Sequence, residues 1–171
     1  LKYSTQNENS IDIVLLLNGI PLVALELKNQ ITGQNSSNAQ KQFMYDRDPR
    51  ELIFRFKQRV IAYFAVDHYD VKYTTKLAGK DTYYLPFNQG SNGAGNVGGE
   101  GNPLNPNGYT TDYLWKKVLN KDSLMEILQK FVHLQVKEEI SHKNGKEILI
   151  KKENIIFPRY HQLDAVRKLI N

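Results

Sequence analysis

An almost uninterrupted apolar segment, IDIVLLLNGIPLVALELKN at positions 11–29, constrains the fold of this chain more than any other feature. The segment divides at Asn18-Gly19, a dipeptide that favours the tight turn of a β-hairpin. Asp12 stands at one end of the segment, and Glu26 and Lys28 stand at the other. A hairpin that served only to be buried would have no use for three charges, so a function is expected where its two ends meet.

The turn decides whether the charged residues meet. A two-residue turn pairs Leu17 with Ile20 and places Asp12 and Glu26 on opposite faces of the hairpin. A three-residue turn with a bulge pairs Leu17 with Pro21 and places Asp12 directly opposite Glu26. Because Pro21 lacks an N–H, it fits a disturbed first pairing better than a regular one. The bulged form is therefore favoured, and the two-residue form remains open.

In the bulged form the carboxylates of Asp12 and Glu26 come close together, with their Cβ atoms roughly 5 Å apart. Like charges at that separation need a proton or a cation between them. An all-oxygen site suits Mg²⁺ or Mn²⁺, and Lys28 adds a positive charge on the face of Glu26. These groups together predict phosphodiester hydrolysis. The spacing D-x(13)-E-x-K is loose, however, and it also fits a plain hairpin with solvated charges at its ends.

The remainder of the chain alternates between helical and extended patterns, which predicts an α/β or α+β fold. A glycine-rich stretch at 88–108 has no period and is expected to form an irregular loop. The predicted elements are a short helix at 39–46, a helix capped by Asp48 and Pro49 with Leu52, Phe56 and Arg59 on one face, strands at 60–66 and 70–77, helical structure at 113–135 that restarts at Asp122 or Ser123, a hairpin at 138–157 over Asn144-Gly145, and a final helix.

Composition excludes several classes of protein. The chain has 171 residues and no cysteine, so it has neither a disulfide framework nor a thiolate metal site. A net charge of +5 is compatible with a polyanionic partner. No apolar run reaches the roughly 18–20 residues that span a bilayer, so no membrane partner is expected.

Beyond the short motif, several longer segments resemble the nuclease region of the R subunit of type I restriction-modification enzymes. They are DIVLLLNGIPLVALELKN, DRDPRELIFRFKQRVIAYFAVD, LAGKDTYYLPFNQG, YLWKKVLNKDSL and FPRYHQLDAVRKLI. The resemblance covers nearly the whole chain from Ile11 onward. It implies an α/β, restriction-endonuclease-like fold, with a mixed central sheet and flanking helices, and a PD-(D/E)xK nuclease site that cuts double-stranded DNA.

The resemblance implies a role for each residue of the short motif. Asp12, Glu26 and Lys28 would form the catalytic triad. Asp12 and Glu26, with the carbonyl oxygen of Leu27, would hold Mg²⁺ or Mn²⁺, and Lys28 would position the attacking water.

The chain departs from the family pattern at two points. Ile11 stands where the motif often has proline. Many relatives carry Q-x-x-x-Y on the next helix, and here Gln42 is followed by Asp46 at the tyrosine position, with Tyr45 one residue early. Gln42 is therefore expected to assist the site, and the role of the tyrosine is in doubt.

The tail FPRYHQ resembles the adenine-reading motif that precedes helicase motors. This likeness implies an endonuclease domain at 1–150, and a linker with the first motor helix at 151–171. Gln162 has the donors and the acceptor that suit adenine, but it is equally a plain surface glutamine in this chain. ATP would bind only to the full-length subunit.

The resembled enzymes are cytoplasmic and work with modification (M) and specificity (S) subunits, which read the DNA sequence. A non-catalytic DNA-docking or assembly module is the alternative function, and a stand-alone nuclease of the same fold is a third. Cleavage that requires magnesium separates the first of these possibilities from the second.

Overall fold

The computed structural model describes residues 1–4, 8–92, 100–143 and 146–170. A mixed five-stranded sheet forms its centre, with β2 and β3 parallel and the other neighbouring strands antiparallel. Strands adjacent in the chain are also adjacent in the sheet. The strands are β1 (Ile13–Leu17), β2 (Ile20–Leu27), β3 (Ala62–Val66), β4 (Val71–Thr74) and β5 (Leu85–Pro86).

Helix α1 (Ser36–Tyr45) connects the parallel strands β2 and β3 and covers one face of the sheet. Side chains alternate across a strand, so Ala24 and Tyr63 pack beneath this helix with Phe43. Asn35 caps α1 through its side chain, which accepts a hydrogen bond from the Ser37 amide. This crossover places Ser36 beside Asp67, which follows β3, and Gln42 beside Lys28, which follows β2.

The opposite face of the sheet holds the larger apolar core. The Phe64 ring lies 5.7 Å from Tyr73, 5.3 Å from Phe87 and 5.8 Å from Phe157, centroid to centroid. Two further helices cover this core, α2 (Lys121–Lys130) and α3 (Tyr160–Ile170). Helices on both faces of a mixed sheet confirm the predicted α/β, restriction-endonuclease-like architecture.

A long two-stranded ribbon, separate from the sheet, links α2 to α3. Its strands are β6 (His133–Lys143) and β7 (Lys146–Ile156), and they pair in the antiparallel sense along their full length. The predicted hairpin is confirmed, but its first strand begins five residues earlier than the pattern indicated. Its predicted turn at Asn144-Gly145 lies outside the described residues.

The helix predicted from Asp48 and Pro49 is wrong. Residues 49–59 form a series of turns and bends, and Lys57 adopts a left-handed backbone with φ of 64° that interrupts any helix. The Asp48 carboxylate accepts hydrogen bonds from the amide and guanidinium of Arg50, which stabilises a local turn instead. Leu52, placed on one helical face with Phe56 and Arg59, is 51% exposed, and Phe54 is the buried side chain of this segment.

Two other helix boundaries differ from the prediction. Helix α1 begins at Ser36 rather than near position 39, because Asn35 and Asn38 form a reciprocal capping box. The helical structure at 113–135 is interrupted as predicted, since a single wide turn at Leu114–Val118 precedes α2. The N-cap of α2 is Asn120 rather than Asp122 or Ser123, and the helix ends at Lys130. Within the described ranges, no helix combines the length and the apolar character needed to cross a membrane.

Candidate functional site

The hairpin of β1 and β2 combines a tight turn with a bulge. Asn18 and Gly19 have φ of 50° and 81°, so Leu17 pairs with Ile20 across a two-residue turn. The register then shifts at Leu22 of β2, which has no partner in β1. Pro21 before it pairs with Leu16, and Val23 after it pairs with Leu15. The predicted three-residue turn is therefore wrong, since the bulge lies within β2 rather than in the turn.

The shifted register brings Asp12 to Glu26. Ile13 pairs with Leu25 beyond the bulge, and the Asp12 carboxylate accepts a hydrogen bond from the Leu27 amide at 2.8 Å. Asp12 is exposed, whereas the Glu26 side chain is completely buried. One carboxylate at the surface and one beneath it thus meet at the carboxyl end of β2.

Glu26 is paired on one side only. Its Oε1 atom accepts hydrogen bonds from Arg47 Nη2 at 2.6 Å and from Arg47 Nε at 3.2 Å. Arg47 is itself 4% exposed and also donates to the Ser10 carbonyl at 2.6 Å. The other oxygen, Oε2, is buried and has no hydrogen-bond partner among the described residues. Buried polar atoms are seldom left without a partner, so this oxygen has capacity for a ligand.

Burial raises the pKa of Glu26 to about 7, against the usual value of 4.5. Desolvation is the main cause, and the neighbouring Asp12 carboxylate adds to it, while the Arg47 guanidinium acts in the opposite direction. Burial raises the pKa of the Tyr84 phenol, and the negative charge of Glu26 raises it further. Burial therefore makes the ionised form of Glu26 unfavourable even beside Arg47, and a further cation at this site would stabilise that form.

The raised pKa of Glu26 makes stability depend on pH in the metal-free protein. The unfolded chain releases this proton near pH 4.5, whereas the folded protein retains it up to about pH 7. The folded state thus binds more protons in this window, and we expect the free energy of unfolding to fall by roughly 3 kcal/mol as pH rises through it. Urea unfolding in EDTA at pH 4.5, 6 and 8 measures this effect. Glu26→Gln is the control and should flatten the dependence; equal slopes in both proteins would contradict the assignment.

Lys28 lies two residues beyond Glu26, directly after the end of β2. Its Nζ donates a hydrogen bond to Gln42 Oε1 on α1 at 2.6 Å. A buried carboxylate fixes the start of α1, since Asp67 Oδ2 accepts from the Ser36 amide at 2.8 Å. The structure thus places Asp12 beside Glu26, and Lys28 beside Gln42, as two neighbouring pairs along the chain. Tyr45, one position away from the family pattern, is 67% exposed.

The donor set fits a hard divalent cation. The unpartnered Glu26 Oε2 and the Asp12 carboxylate could supply oxygen ligands, and the Leu27 carbonyl belongs to the residue between Glu26 and Lys28. Oxygen donors of this kind are those that Mg²⁺ and Mn²⁺ prefer. The described part of the chain contains no cluster of three or more histidine, cysteine, aspartate or glutamate side chains placed to hold a metal. A cation here would therefore rely on two carboxylates.

Gln162 lies at the start of α3, where its side-chain oxygen accepts a hydrogen bond from the Arg159 amide at 2.9 Å. This contact helps to cap the helix. Arg47 is the residue whose role the sequence did not reveal, because it stands in a charged segment 21 residues from Glu26 along the chain. The available signal was Glu26 itself: a carboxylate in a buried strand requires a cationic partner.

Comparisons with known proteins give one match. The family model described as "Type I restriction enzyme R protein N terminus" matches residues 1–82, which include Asp12, Glu26, Lys28, Gln42 and Arg47. No curated protein and no solved structure matches the chain at a significant level.

Proposed function

We propose that this chain hydrolyses phosphodiester bonds of double-stranded DNA with a divalent cation, because residues 1–82 match the family model of the type I restriction enzyme R protein N terminus. The observation that carries the proposal is the buried Glu26 Oε2 atom, which has no hydrogen-bond partner in the described residues and belongs to a carboxyl group whose pKa the neighbouring Asp12 carboxylate raises further. A purely structural glutamate paired with Arg47 would have no need of the second carboxylate.

Each residue contributes a separate part of the chemistry. Asp12 and Glu26, with the Leu27 carbonyl, would hold Mg²⁺ or Mn²⁺. Arg47 fixes one oxygen of Glu26 and leaves the other for the ion. When bound, such a cation lowers the pKa of a water molecule and offsets the charge that develops on the phosphate. Lys28 orients the attacking water, and Gln42 holds the Lys28 ammonium in place through its 2.6 Å hydrogen bond.

The wider setting follows from the family. We propose that ATP-driven translocation belongs to the full-length subunit and that M and S subunits supply sequence recognition, within the cytoplasm. We also propose that 1–150 is the nuclease domain and that 151–171 leads into a motor domain, with Gln162 reading adenine there. In this chain Leu163 packs into the core and Arg167 binds Glu126 at 2.7 Å, so α3 docks on the nuclease side.

Nicking of supercoiled plasmid DNA tests the proposed function. We expect open-circular product with Mg²⁺ or Mn²⁺ and none with EDTA or with Ca²⁺ alone, since calcium binds oxygen ligands with longer and looser geometry. DNA binding should be measured in parallel by gel shift. Binding without cleavage under any metal condition would instead favour the DNA-docking module. Cleavage that persists in EDTA would contradict the metal-dependent mechanism.

A further inference from the structure

A small cavity opens at the carboxyl ends of the parallel strands β2 and β3. Its volume is about 230 Å³, below the roughly 300–1,000 Å³ of sites for drug-sized molecules. Ligands of open α/β sheets bind at this edge. Leu27, Lys28, Asn29, Val66, Asp67, His68, Tyr109, Thr111 and Trp115 line the cavity.

Three rings form a continuous wall of this cavity. The His68 and Tyr109 rings lie 4.6 Å apart and are tilted by 30°, close to a stacked arrangement. The Trp115 ring meets Tyr109 edge to face at 6.3 Å. Tyr109 is 53% exposed and Trp115 is 43% exposed, although large aromatic side chains are usually buried more completely. The wall is therefore available to a planar ligand.

The position of the cavity narrows the choice of ligand. Leu27 and Lys28 line it and also belong to the candidate metal site, so one substrate can reach both places. A DNA strand offers a phosphate for the metal site and, attached to the neighbouring sugar, a flat base for the rings. Aromatic side chains bind bases of any identity by stacking. In an intact duplex both faces of each base are covered by its neighbours, so only a base that has left the stack can enter.

We propose that His68, Tyr109 and Trp115 form a pocket that stacks on one unpaired nucleobase of the DNA strand that is held for cleavage. This inference rests on the proposed nuclease function and names the form of substrate it acts on. The pocket takes a base from a frayed, nicked or distorted duplex. It has no requirement for one particular base.

Trp115 reports on the pocket directly because it is the only tryptophan in the chain. A short oligothymidylate, titrated in EDTA so that no cleavage occurs, should quench the tryptophan fluorescence with saturation. An oligomer of the same length with abasic sugars has the same phosphates and no bases, and it should leave the fluorescence nearly unchanged. Equal quenching by both oligomers, or quenching by neither, would overturn the proposal.

Tyr109→Ala removes the central ring and keeps the reporter. Stacking on an aromatic side chain is lost, so we expect oligothymidylate to bind about tenfold more weakly. Tyr83→Ala is the matched control: Tyr83 is 76% exposed and does not line the cavity, and binding should be unchanged. Equal affinities for the two variants would also overturn the proposal. Cleavage without quenching counts against the base pocket alone, and quenching without cleavage counts against the proposed nuclease activity alone.

Discussion

Lys28→Met should lower the rate of magnesium-dependent DNA cleavage by about 10²- to 10³-fold, because the attacking water loses the group that orients it, and removing one positioned hydrogen-bond donor from a catalytic site has an effect of this size. Lys28 is the only lysine of the proposed triad, and Gln42 holds its ammonium at 2.6 Å from the amide oxygen. Methionine retains a long apolar stem, so the packing against α1 should persist. The measurement is the initial rate of plasmid nicking in Mg²⁺.

Lys121→Met is the matched control, since Lys121 is exposed at the start of α2 and carries the same charge. Both variants lose one positive charge, so a general weakening of DNA binding would affect them equally. Thermal unfolding should give closely similar midpoints for both variants and the parent. A parental nicking rate in Lys28→Met would remove Lys28 from the proposed mechanism.

Arg47→Met should destabilise the fold by about 3–5 kcal/mol at pH 8, because it leaves the buried Glu26 carboxylate without its cationic partner. The side chains of the pair are 3% and 0% exposed, so water cannot replace the lost contact. The loss should be smaller at pH 5, where Glu26 is protonated in the folded state. Urea unfolding at the two pH values provides both numbers.

Two further variants isolate the ion pair. Arg50→Met breaks the Arg50–Asp48 bridge, in which the arginine side chain is 89% exposed, and a surface pair of this kind contributes little to stability because water screens it. The double variant Arg47→Met, Glu26→Gln removes both buried charges and should recover part of the stability lost by Arg47→Met alone. If Arg47→Met and Arg50→Met have equal effects at pH 8, the buried pair has no special role.

The strands of this fold could be read from sequence because each has a local signal. Continuous apolar runs identified β2 and β3, and the Asn18-Gly19 pair identified the hairpin that contains β2. The turns at 49–59 could not be read in this way, because a side-chain contact of Asp48 and the left-handed Lys57 override a helical pattern. Local propensity is a weak guide where such contacts compete with it.

The candidate site likewise contains some residues that the sequence revealed and others that it did not. Its two carboxylates and lysine were recognisable from spacing and from family resemblance. The partner of Glu26 was not recognisable, because Arg47 lies 21 residues further along the chain. The two side chains come into contact only when α1 folds against the sheet. The aromatic cavity likewise combines side chains from three separate segments, which no sequence period connects.

The single unpaired residue in β2 has a consequence for how this protein can change. With the Asn-Gly turn alone, Asp12 would point away from Glu26, and Leu22 is what restores their common side. The number of residues in β2 therefore decides which side chains of the hairpin face the site. Deleting Leu22, or inserting one residue beside it, would turn the aspartate outward while every chemical group of the site was still present. Evolution can switch off such a centre by a change of length alone, without replacing any of its side chains.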